Sequence, residues 1–99
     1  MEQTQLSKIL KEAMKGDKFS LGVKESMAAM KGAKAVLCTR SVPTRLGVKL
    51  REEAKKHEVP IVDLDMTSAE LARMIGKPYK VSTISLRSLG EASLKQLLR

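Results

Sequence analysis

Residues 59–86 read VPIVDLDMTSAELARMIGKPYKVSTISL, and the order of pieces within that stretch decides the fold. Val59 to Asp65 is a short apolar run, bounded by charge, of the kind that forms a buried strand. Thr67-Ser68-Ala69-Glu70 is a capping box: the threonine oxygen and the glutamate carboxylate each satisfy a free backbone N–H at a helix start. Leu71, Met74 and Ile75 follow at helical spacing, and Gly76 stops the helix. Val81 to Leu86 (VSTISL) is another strand. The stretch is therefore strand, helix, strand, with sharp boundaries.

The same alternation continues outward. Pro43 fits a helix N-terminus, after which Leu46, Leu50, Ala54 and the stem of His57 share one face while REEAKKHE (51–58) turns its charges to solvent. Ala33 to Thr39 (AKAVLCT) reads as a strand buried on both faces. Gly22 to Lys31 reads as a helix with Val23, Met27 and Met30 on one side, and KFSL (18–21) adds a short strand before it. At the N-terminus Leu6, Ile9, Leu10, Ala13 and Met14 mark a first helix with Gly16 as its cap. At the other end Ser88-Leu89-Gly90-Glu91 repeats the capping-box pattern before Leu94, Leu97 and Leu98.

Helices and strands that alternate in this way imply a mostly parallel sheet covered on both faces. The expected fold class is α/β, a three-layer α/β/α sandwich on a small four-stranded mixed sheet. All 99 residues form one domain, without repeat, low-complexity tract or linker.

The 19 Lys and Arg outnumber the 11 Asp and Glu, and the net charge of +8 creates a positive field that attracts polyanions, nucleic acid foremost. No polybasic run or basic amphipathic helix of the membrane-surface type occurs. The opening MEQTQLSKIL lacks a leader pattern, and no uncharged run approaches the roughly 18 residues of a membrane span, so a soluble intracellular protein is expected. Cys38, the one cysteine, sits in the apolar run and reads as a small core hydrophobe.

Catalytic patterns are missing. The sequence has no G-x-G-x-x-G, no G-x-x-x-x-G-K-[ST] and no G-x-S-x-G, and His57 lies at a surface helix end with no nucleophile adjacent in sequence. Asp63 and Asp65 lack a third ligand, so neither a metal nor any other cofactor is implied. With only Phe19 and Tyr79 as aromatics, a multi-aromatic stacking platform cannot be built. The reading is a binder that works through shape, backbone amides and charge.

Lys24 is the unusual residue. It stands in the first turn of its helix, where the macrodipole is partly positive and a cation is unfavourable by a few tenths of a kcal/mol, up to about 1. Gly22 admits a close approach, and free N–H groups beside it could receive a phosphate. Glu25, one residue on, compensates the dipole equally well, so charge alone leaves Lys24 either solvated or awaiting an anion.

The runs LGVKESMAAMKGAKAVLCTRSVP (21–43) and VPIVDLDMTSAELARMIGKPYKVSTISL together resemble the kink-turn-binding superfamily, in its archaeal and eukaryotic branch of large-subunit ribosomal proteins thirty. The likeness covers nearly the whole chain. It implies a non-enzymatic ribosomal protein, cytoplasmic and monomeric when free, among neighbouring large-subunit proteins. The implied target is ribosomal RNA, at a sharply bent kink-turn internal loop with tandem sheared G·A pairs.

The family's RNA-binding segments map onto Gly22, Lys24 and Glu25, onto Arg40, Ser41 and Pro43, and onto Lys77, Pro78, Tyr79 and Lys80, all at one end of the sandwich. Lys24 and the amides near Gly22 then suit phosphate or the acceptor edge of guanine, and Glu25 suits guanine's donors. Tyr79 offers a face to an extruded base. Arg40, Arg45, Lys77 and Lys80 would position the backbone. Ser41 stands where the family commonly has Asn, and Ala28 where it often has a basic residue. Alternatives on the same surface are a component of a guide-RNA or RNase P particle and a protein–protein interaction module. A net charge of +8 argues against the module.

Overall fold

Alternation along the chain becomes alternation in space. The computed structural model describes residues 3–13, 19–87, 92, 95 and 96. Its elements are α1 (Gln3–Ala13), β1 (Phe19–Leu21), α2 (Val23–Ala28), β2 (Ala35–Cys38), α3 (Thr44–Lys56), β3 (Ile61–Asp63), α4 (Ser68–Ile75) and β4 (Thr83–Leu86). Gly16 and the helix expected to carry Leu94, Leu97 and Leu98 lie outside the described residues.

The sheet order is β1-β4-β2-β3, a four-stranded mixed sheet. On one face Leu37, Ile84 and Leu86 pack against Leu6, Ile9 and Leu10 of α1 and Leu71 and Ala72 of α4. On the other, Val36 and Cys38 meet Met30 after α2 and Leu50 and Ala54 of α3. The three layers follow from the period of each segment: alternate strand residues supply both faces, and each helix turns its apolar stripe inward.

Two expectations need correction. The sheet is not mostly parallel: among the described strands β2 and β3 are the one parallel neighbouring pair, while β4 runs against the other three and is antiparallel to both of its neighbours. In a parallel crossover the helix returns the chain to the end where the preceding strand began. Here the non-helical segment 77–82 doubles back after α4, and the Val81 N–H donates to the Ser68 carbonyl at 3.2 Å beside the start of that helix. The chain thus enters β4 from the end it had just left, reversed.

The second correction concerns α2, which stops at Ala28 instead of continuing to Lys31. Met30 is fully buried, and Gly32 adopts φ 90, so the chain turns into the core before a third helical turn can form. Packing here overrides the helix propensity of Ala28-Ala29-Met30.

Candidate nucleic-acid interface

Strand register puts four connections at one end of the sheet. Cys38, the last residue of β2, faces Thr83, the first of β4, and Leu21 at the end of β1 faces Ile84. Asp63 closes β3 beside Cys38. The chain leaving β1 at Gly22, leaving β2 at Arg40, leaving β3 at Asp65 and entering β4 at Ser82 therefore meets in one place.

Hydrogen bonds pin these connections to one another. The Gly22 N–H donates to the Thr83 carbonyl at 2.8 Å, and the Arg40 N–H to the Met66 carbonyl at 2.9 Å. Thr39, nearly buried, donates its N–H and its hydroxyl to the Ser82 carbonyl, at 3.0 and 2.9 Å. Ser41 Oγ accepts the Ser68 amide at 3.0 Å. Such loops present their exposed side chains from a fixed frame.

Gly22 has φ 100 and ψ 160, a region open essentially to glycine. A Cβ there would lie 2.6 Å from Glu25 Oε2, so the carboxylate folds back over the glycine. Lys24 and Glu25 are both exposed. With α2 only six residues long, the dipole acting on Lys24 is shorter than the sequence implies. Its accessibility, more than electrostatic strain, is what the fold provides.

Arg40 is 59% exposed but occupied: its Nε lies 3.5 Å from Asp65 Oδ1 and its Nη2 3.7 Å from Glu70 Oε1. Pro43 caps α3 and Arg45 stands exposed in its first turn. Tyr79 is 53% exposed, with Pro78 and Lys80 exposed on either side. Lys77 is drawn away, its Nζ 5.8 Å from the centroid of the Phe19 ring. Phe19 pairs with Leu86 at the other end of β1 and β4, so Lys77 belongs to the flank of the sandwich. Residues 22, 24, 25, 40 and 41 converge; 77 does not.

Thr39, Asp65 and Arg51 are site features that the sequence did not single out as partners. Thr39 is the anchor of the β2 loop, and Arg51 pairs with Asp63 beside a cleft of about 270 Å³ lined by Thr39, Arg40, Val42, Thr44 and Val48. No local pattern marks these pairings, because each joins residues from separate elements.

Among the described residues the loops of the sandwich thus converge on one polar, charged end. The chain belongs to the ribosomal protein L7Ae/L30e/S12e/Gadd45 family, whose model matches residues 4–95. That membership places it among structural rather than catalytic proteins. It is 28% identical over 91 residues to the large ribosomal subunit protein eL30 of Aeropyrum pernix, covering 90% of this chain and 91% of that one. Against the eL30 of Archaeoglobus fulgidus the identity is 27% over 85 residues, covering 84% and 94%. A solved protein of unknown function from Bacillus halodurans C shares the fold with a TM-score of 0.79 at 18% identity, covering 98% of this chain and 95% of that one.

Proposed function

We propose that the protein is a structural constituent of the large ribosomal subunit in the cytoplasm, and that it binds ribosomal RNA at a kink-turn internal loop. The observation that carries this reading is the convergence of Gly22, Lys24, Glu25, Arg40 and Ser41 on one hydrogen-bonded end of the sheet. Large-subunit relatives matched along nearly their whole length support the ribosomal part. Lys24 and the Gly22 turn meet phosphate or a guanine acceptor edge, and Glu25 accepts from a guanine whose pairing edge a sheared G·A pair leaves open. Tyr79 stacks on an extruded base, and Arg40, Arg45, Pro43, Pro78 and Lys80 border the backbone on either side. Neighbouring large-subunit proteins complete the surroundings; the free chain is a monomer.

The test is a titration against a kink-turn RNA and the same RNA with its G·A pairs replaced by Watson–Crick pairs, at two salt concentrations. The reading requires tight binding to the first RNA alone. Equal, salt-weakened binding to both would overturn it.

A further inference from the structure

A groove of about 610 Å³ runs between α1 and α4, on the face of the sandwich away from α2 and α3. Its rims are basic on both sides: Lys8 and Lys11 from α1, Arg73 from α4, all exposed. None of the three has an ion-pair partner among the described residues. Glu70, the groove's one carboxylate among the described residues, is already engaged by the Thr67 amide and hydroxyl at 3.1 Å each and by Arg40, and its charge is also felt by Arg73. The floor is methionine, Met74 half-buried and Met66 beneath it.

We propose that this groove docks an acidic amphipathic helix of a partner protein. Charge complementarity selects the sign: two basic rims flanking an apolar floor match a helix with acidic flanks on either side of an apolar seam. Methionine adapts its shape to an incoming side chain, which suits a groove that seats a helix. RNA fits less well. Neither aromatic residue of the chain, Phe19 or Tyr79, lines the groove to stack a base, and a phosphate backbone would leave Met74 without an apolar counterpart. The proposal stands independently of the RNA reading, since the groove lies along α1 and α4 and meets the convergent loops only through the two contacts of Arg40, its side chain to Glu70 and its amide to the Met66 carbonyl.

The full chain is titrated with a fluorescein-labelled synthetic helix carrying leucines at i, i+3, i+4 and i+7 and glutamates beside them. A scrambled peptide of the same composition and a plain RNA duplex serve as competitors. Saturable binding of the patterned peptide is expected. Lys8→Glu with Lys11→Glu should weaken it about tenfold or more, Arg73→Gln on the opposite rim should weaken it separately, and kink-turn RNA affinity should stay unchanged in both. Three results would overturn the proposal: no binding of the patterned peptide, equal binding of the scrambled one, or displacement by the duplex with a parallel loss of RNA affinity in the variants. The last would make the groove a general polyanion contact.

Discussion

The hydroxyl of Ser41 accepts the backbone amide of Ser68 at 3.0 Å, so the loop after β2 supplies a hydrogen-bond partner to the first residue of α4. The first N–H groups of a helix have no partner within it, and Thr67 serves only the Glu70 amide. The side chain at 41 thus ties its loop to the frame. Ser41→Ala should lower folding stability by about 1 kcal/mol in urea denaturation. An unchanged midpoint would mean that water replaces the hydroxyl.

Arg40 is shared between Asp65 and Glu70, and exposed pairs of this kind contribute only about 0.2 to 1 kcal/mol. Asp65→Asn should free the guanidinium and tighten kink-turn RNA binding, by up to about fivefold, in a low-salt titration. Weaker binding would mean that Asp65 holds Arg40 in the productive pose.

Two glycines with positive φ should respond differently to alanine. Gly22, at φ 100 and ψ 160, lies where other residues are strained by about 1 to 3 kcal/mol, and its new methyl must also displace Glu25. Gly76, at φ 75 and ψ 31 with open space around it, is an ordinary left-handed cap where alanine costs about 1 to 2 kcal/mol. Thermal unfolding should rank Gly22→Ala at or below Gly76→Ala in stability, and only Gly22→Ala should also weaken RNA binding.

The Thr67 amide, followed by its hydroxyl, holds the Glu70 carboxyl below its usual value of 4.5. A carboxyl depressed on folding stabilises the native state fully above the unfolded value, and that contribution fades as pH falls through the folded one. Glu70→Gln should therefore flatten the acid limb of the stability profile while leaving its neutral-to-basic shape unaltered. Thr67→Ala should lower stability at neutral pH by about 0.5 to 2 kcal/mol.

Burial pushes the Cys38 thiol up to about 11, so almost no thiolate exists at neutral pH. An aromatic disulfide reagent should modify Cys38 only as fast as the chain opens, and mild denaturant should accelerate the reaction. Immediate modification of the folded protein would place the thiol at the surface.

Local chemistry was legible in the sequence, and non-local chemistry was not. The capping box at Thr67 and Glu70, the stop at Gly76 and the core face of Leu50 and Ala54 stand where the sequence puts them, because each depends on residues within a turn or two. The early end of α2 depends on Met30 finding the core, and the reversal of β4 depends on how 77–82 crosses the sheet. No window of sequence contains those facts. At the candidate interface, residue types were readable, but Arg40's two carboxylates, Ser41's tie to Ser68 and the diversion of Lys77 to Phe19 all join distant elements.

The central place of β4 governs the order in which a nascent chain can fold. Strands β2 and β3 are free to pair once β3 has followed α3 out of the ribosome, but β1 hydrogen-bonds to β4, and so does the other edge of β2. Until residues 83–86 leave the exit tunnel, β1 has no partner and β2 presents an open edge, the kind of surface that invites pairing with another chain. The sheet cannot close before β4 has been made, so a product released short of Thr83 is an aggregation hazard and no smaller version of the domain.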